Sequence, residues 1–196
     1  MSQRRLLVLP TLLMAALLVG CGSDDSGGGG SSSNERGSTR TATPDVEEDE
    51  EDRVGTDDYT FVLPDGWAET STSGTAADVA FVSGEAVDGF RTNVNIIQDT
   101  GPEMSVREFE TQAIERLESE GFTGVAADDP YEVDGVESPV VRADVVSQGV
   151  TYQTRQYYAQ YDGSYYIITF SFAPSASEYE TKDVSQDVID TWRWES

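Results

Sequence analysis

The chain has 196 residues, 37 acidic against 12 basic, a net charge of −25, one cysteine and no histidine. A length of this order fits one domain with appendages, and the acidity argues against nucleic acid and anionic lipid headgroups as partners, because both need clustered Lys and Arg. Without His there is no Ser-His-Asp or Cys-His pairing and no imidazole metal ligand, and a lone Cys forms neither an internal disulfide nor a thiolate zinc cluster. Lys182 is the only lysine among those basic residues, a bias expected either of a GC-rich genome or of a high-salt habitat.

The chain begins with "MSQRR", a short basic start, followed by the fifteen apolar or small residues Leu6 to Gly20 and then Cys21. A charged start, a short apolar run and a small residue before a cut make a secretory signal. The run is shorter than the ~20 residues a membrane-spanning helix needs, and Pro10 weakens it further. "LVGC", Leu18 to Cys21, resembles the lipobox of bacterial lipoprotein precursors. The resemblance implies cleavage between Gly20 and Cys21 and a diacylglyceryl (palmitate-type) group on the Cys21 thiol, and two acyl chains suffice for stable anchoring. Arg4 and Arg5 leave twin-arginine export open beside the general secretory route.

Residues 1–20 are thus expected to be a lipoprotein signal peptide, and 21–58 a lipidated Cys followed by a disordered acidic linker. From Gly22 to Asp58 the chain is almost entirely Gly, Ser, Thr and acid, and such a composition cannot bury enough apolar surface to offset its ordering entropy. As a flexible coil it would span roughly 30 to 36 Å. "EEDEED", Glu47 to Asp52, reads as a solvated spacer, since six adjacent acids without turn residues preorganise no cation shell.

Residues 59–196 are expected to form the globular domain, with 25 acidic and 7 basic residues and a net of −18. "YTFV" reads as a strand closed by the turn residues Pro64-Asp65-Gly66, with Trp67 behind it, and "DVAFVS" and "TNVNIIQ" as strands separated by a turn at Asp88-Gly89. Ser105 and Glu108 make a capping box for a helix over Val106 to Glu120, whose Val106, Phe109, Ala113 and Leu117 share one face, with Gly121 closing it. Residues 122–148 read as short strands and turns. Asp162-Gly163 is a two-residue hairpin signal, which places Tyr157 opposite Ile168, Arg155 opposite Phe170, Tyr158 opposite Ile167 and Gln156 opposite Thr169. The first pair of positions lies on a core face and the second on a mixed one. Ser177 and Glu180 cap a last helix carrying Val184, Val188 and Trp192. The fold class is therefore α/β (α+β), a mostly antiparallel sheet flanked by helices and preceded by a disordered linker.

The strand "YTFVLPDGW", the helix after Ser105, the hairpin at Asp162-Gly163 and the closing helix with its tryptophans resemble the PsbP-like α/β/α domains, and within those the LpqN/LpqT-type lipoproteins of actinobacteria. The resemblance covers Tyr59 to Glu195. It implies a binding scaffold without a shared active site and carries over no functional residue except Cys21 as the lipidated position.

The chain contains no G-x-S-x-G, no phosphate-loop and no G-x-G-x-x-G motif. No catalytic residue, metal ligand or cofactor is assigned. Six of the nine tyrosines fall between Tyr152 and Tyr166, and the mixed hairpin face sets Tyr152, Tyr158 and Tyr165 beside Gln156. Rings amid amides can stack on sugars or anchor a protein, so these four are the candidate binding face. The alternative is that a helix covers them. The resulting expectation is a membrane-anchored extracytoplasmic lipoprotein, held to the bilayer by the acyl groups on Cys21, acting as a non-enzymatic binding module for an envelope protein or glycan. The alternative is a carboxylate-dependent hydrolase of envelope glycan, drawing on the domain's many acids.

Overall fold

A computed structural model describes residues 53–72 and 76–195. The expected signal peptide, Gly20, Cys21 and the linker as far as Asp52 lie outside the described residues. Ten strands and two helices are described: β1 (Arg53–Gly55), β2 (Tyr59–Val62), β3 (Trp67–Glu69), β4 (Val79–Ser83), β5 (Asn93–Thr100), α1 (Val106–Ser119), β6 (Thr123–Val133), β7 (Val136–Ser147), β8 (Val150–Tyr161), β9 (Ser164–Phe172), α2 (Glu178–Asp190) and β10 (Arg193–Trp194).

Seven strands form one antiparallel sheet in the order β3-β4-β5-β9-β8-β7-β6, and β1, β2 and β10 form a small second sheet. The β8–β9 hairpin has the expected register, with Tyr157 opposite Ile168, Arg155 opposite Phe170 and Gln156 opposite Thr169. Asp162 and Gly163 both take positive φ, 45° and 76°, the geometry that two-residue hairpins favour and that Asp-Gly tolerates. Both capping boxes form as read: the Ser105 and Ser177 hydroxyls accept from the N–H groups of Glu108 and Glu180, whose carboxylates accept in return from the N–H groups of the two serines.

Three layers result. On one side of the sheet α2 and the small sheet enclose a core of Tyr59, Phe61, Ile96, Tyr157, Phe170 and Trp192, with the Trp192 ring stacked on Tyr59 at 4.6 Å and on Phe61 at 5.2 Å. On the other, Phe109, Ala113 and Leu117 of α1 pack on Ile97, Val141, Tyr158, Tyr165 and Ile167. Burying both faces of the central strands explains why β9 is apolar or fully buried at nearly every position.

Two expectations are corrected. Arg53–Gly55, placed in the linker, is strand β1: it pairs with β2, and the Arg53 guanidinium donates to Thr60 Oγ1 and to the carbonyl of Thr191. Residues 53–55 therefore belong to the folded domain, and the expected boundary at 58 does not hold. Residues 123–147, read as short strands and turns, are two long strands, of 11 and 12 residues, joined at Asp134-Gly135. β6 runs through Pro130, and it is an edge strand with a register shift between Asp128 and Tyr131. A proline without an N–H is tolerated at an edge or a bulge.

Candidate functional site

The hairpin face proposed for recognition is not open. Tyr152, Tyr158, Tyr165 and Gln156 are all at most 3 % exposed. Tyr158 and Tyr165 lie against the Phe109 ring of α1, at centroid distances of 5.3 and 5.0 Å, and Tyr152 stacks on Phe90 of the β4–β5 loop at 5.5 Å. The Tyr158 hydroxyl donates to Gln156 Oε1. Burial pushes all three phenols above their ordinary value. These four residues form the floor beneath α1 and the loop, and no binding surface.

The polar concentration that does reach solvent lies on the opposite face, between the first turn of α2 and the strands β6 to β8. Register puts Arg142 of β7 directly across from Arg155 of β8, an arrangement that is repulsive unless a carboxylate intervenes. Asp128 supplies it from β6, with Oδ1 3.2 Å from Arg142 Nε and Oδ2 2.7 Å from Arg155 Nη2. The three side chains grade from outside to inside: Arg142 is 46 % exposed, Asp128 17 % and Arg155 5 %. The Arg155 Nε has no hydrogen-bond partner. Two residues further along β8, the Tyr157 hydroxyl bonds Ser185 Oγ of α2 at 2.8 Å, and Ser185 donates to the carbonyl of Lys182 at 3.1 Å. This polar line pins α2 to the sheet.

Beside it is a cleft of about 60 Å³ lined by Gly124, Arg142, Asp144, Gln153, Arg155, Glu178 and Thr181, together with Ala143 and Thr154. Gln153 holds its rim by donating through Nε2 to the carbonyls of Pro174 at 2.8 Å and Ala176 at 3.1 Å. A volume of this size takes a few water molecules, whereas ligand pockets run to hundreds of Å³. Asp144 and Glu178 line it together with Arg142 and Arg155, so the cleft is of mixed charge. It can order water or a small polar group. Among the described residues no group of three or more Asp, Glu, His or Cys side chains could hold a metal ion.

A hydrolytic general acid needs a carboxyl whose pKa is raised. The carboxyls displaced from their ordinary value, Glu108 and Glu180, are displaced downward by the Ser105 and Ser177 side chains and then by the N–H groups of the same serines, and both are exposed cap residues.

Sequence reasoning passed over Asp128 and Arg155. The signal for Arg155 was present: the hairpin register sets it on the core face opposite Phe170, and an arginine there requires a buried carboxylate. The partner itself was illegible, because Asp128 reaches it only through the displaced register of β6.

No family model and no curated protein matches the chain. Solved structures do. LpqN of Mycobacterium tuberculosis, described as involved in cell envelope biogenesis, aligns with a TM-score of 0.51 and 13% identity over 70% of this chain and 83% of its own. The cyanobacterial PsbP protein CyanoP of Synechocystis aligns with a TM-score of 0.50 and 17% identity, over 72% of this chain and 91% of its own. A Bacteroides thetaiotaomicron protein aligns at 0.48 and 13% identity over 70% of this chain, which spans only 45% of it. At these identities the likeness shows the fold, and the fold is PsbP-like.

Proposed function

We propose that the chain is a lipid-anchored extracytoplasmic protein whose PsbP-like domain is a non-enzymatic binding module at the cell envelope. The observation that carries this reading is Leu18 to Cys21, a lipobox-like tetrapeptide placed where a basic start and a fifteen-residue apolar run end. Support comes from the shared fold with LpqN, a protein of cell envelope biogenesis. Among the described residues no helix is long and apolar enough to cross a membrane.

The test is the mass of the tryptic peptide Cys21–Arg36 from membranes of producing cells, with metabolic palmitate labelling beside it. A diacylglyceryl-bearing N-terminal cysteine is expected, and Cys21→Ala should abolish labelling and release the chain from the membrane fraction. An unmodified Cys21 in the native chain overturns the localisation.

A further inference from the structure

The large hydrophobic side chains that stand well exposed among the described residues are Val87, Val146 and Tyr179, at 54 %, 73 % and 73 %. They come from three separate elements, and each is tied to the same end of the sheet. Val87 is in the β4–β5 loop, whose neighbouring Asp88 accepts from the Ser175 hydroxyl just before α2. Tyr179 is in the first turn of that helix. Phe90 of the same loop stacks on Tyr152, which is registered opposite Val145, the neighbour of Val146. The loop, the β7–β8 turn and the α2 N-terminus thus form one tip.

The chain enters the domain at the other end. Arg53, the first described residue, bonds the carbonyl of Thr191, just past the C-terminus of α2. From Tyr179 to Thr191 the helix axis advances about 18 Å at ~1.5 Å per residue, so the tether and the apolar tip lie at opposite ends of α2.

We propose that this tip docks a protein partner that presents an apolar centre within a basic rim. The proposal deepens the binding-module reading and rests on it, naming the end of the domain remote from the tether as the surface that binds. Exposed apolar groups ringed by polar ones mark interaction sites, and an exposed tyrosine is a favoured anchor. Charge selects the occupant. Among the exposed charged residues of the β4–β5 loop and the first turns of α2, Glu85, Asp88, Glu178 and Glu180 outnumber Arg91 and Lys182. An anionic bilayer and a second copy of this tip would each set like charge against like, whereas a basic rim is complementary.

The experiment uses the full chain and a defined probe, an amphipathic helical peptide of leucine and lysine, with its leucine–glutamate counterpart as control. Expected are NMR shifts concentrated at Val87, Val146 and Tyr179, binding that weakens with salt, and a loss of roughly tenfold or more in Val146→Asp/Tyr179→Ser. Asp57→Asn, near the tether, should bind as the native chain does. Both altered side chains are exposed, so the variant's remaining spectrum should match the native one and exclude unfolding. The proposal is overturned by shifts spread over the acidic surface, by equal binding of the leucine–glutamate peptide, or by a variant that binds as well as the native chain. Tip-dependent binding to phosphatidylcholine vesicles or concentration-dependent dimerisation through the tip would overturn it in favour of those occupants. An unmodified Cys21 would sink the anchoring reading while leaving these solution results as they are, and a lipidated chain with an inert tip would sink only the docking surface.

Discussion

Asp128 is expected to be worth far more to stability than its position on an edge strand suggests. Removing it in Asp128→Ala leaves Arg155, 4 % exposed, as a buried cation, and leaves Arg142 directly opposite with the same charge. For charges about 4 Å apart at an effective dielectric near 20, the lost attraction is about 4 kcal/mol, and breaking one side of a buried pair costs about 3 to 5 kcal/mol. Asp128 is partly exposed, which favours the lower figure. A loss of about 3 kcal/mol in a domain of this size should lower Tm by about 10 °C. Arg142→Ala removes only the exposed arm and should cost less than about 1 kcal/mol, and Asp128→Leu with Arg155→Met should recover most of the loss, because an apolar pair replaces a desolvated ionic one. Urea denaturation of the three variants decides it. Equal destabilisation by Asp128→Ala and Arg142→Ala would refute the argument that burial of Arg155 sets the cost.

Ser105→Ala and Ser177→Ala should each cost about 1 kcal/mol, the usual value of an N-cap hydroxyl, and 13C NMR titration should show the Glu108 and Glu180 midpoints, depressed in the native chain, moving up. Since these folded-state values lie below the unfolded ones, the caps' contribution is present at neutral pH and is lost as pH falls through the depressed midpoints; unchanged midpoints would contradict it. In alkali the buried phenols of Tyr152, Tyr158 and Tyr165 should keep their protons past pH ~10, and Tyr131 is pushed up to about 12 by burial and its hydrogen bond to Asp190. Stability from these raised values is intact below the unfolded phenol pKa and is lost as pH rises above it, so ultraviolet titration should show the buried tyrosines ionising together with loss of the fold. Gly101→Ala should destabilise by about 1 to 3 kcal/mol, because its Cβ would lie 2.4 Å from Cε2 of the packed Tyr165 ring; a change below ~0.5 kcal/mol would mean the ring has room to move.

The parts of the fold legible in the sequence were those fixed by contacts near in the chain. Ser105 with Glu108 and Ser177 with Glu180 each specify a helix start within four residues, and Asp162-Gly163 specifies a turn and hence every pair in the β8–β9 ladder. Strand lengths over 123–147 were not legible, since a proline carries opposite meanings at an edge and at the centre of a sheet, and edge status depends on a strand order that no local pattern states. The start of the domain was missed for a similar reason: Arg53 is held by Thr191, 138 positions away.

The tyrosine face fails more instructively. Strand alternation identifies which residues share a face but not what lies over it. Gln156 and Thr169 made the second hairpin face read as mixed, yet they are 2 % and 0 % exposed. The Gln156 Nε2 and Thr169 Oγ1, opposite one another in register, have no hydrogen-bond partner, so polarity there stands against the usual rule that buried polar atoms are paired. Tyrosine tolerates this interior because its ring supplies apolar area while the hydroxyl finds or forgoes a partner. The same alternation hid the informative exposures. Val146 precedes a turn, Val87 sits in a loop and Tyr179 opens a helix, and none belongs to a pattern that periodicity can weigh. Their common location follows from three tertiary links, Asp88 to Ser175, Phe90 to Tyr152 and Gln153 to Pro174. In a domain whose central strands are buried on both faces, the exposed large apolar side chains fall at ends and rims, and those are built by residues that are distant in sequence and locally unremarked.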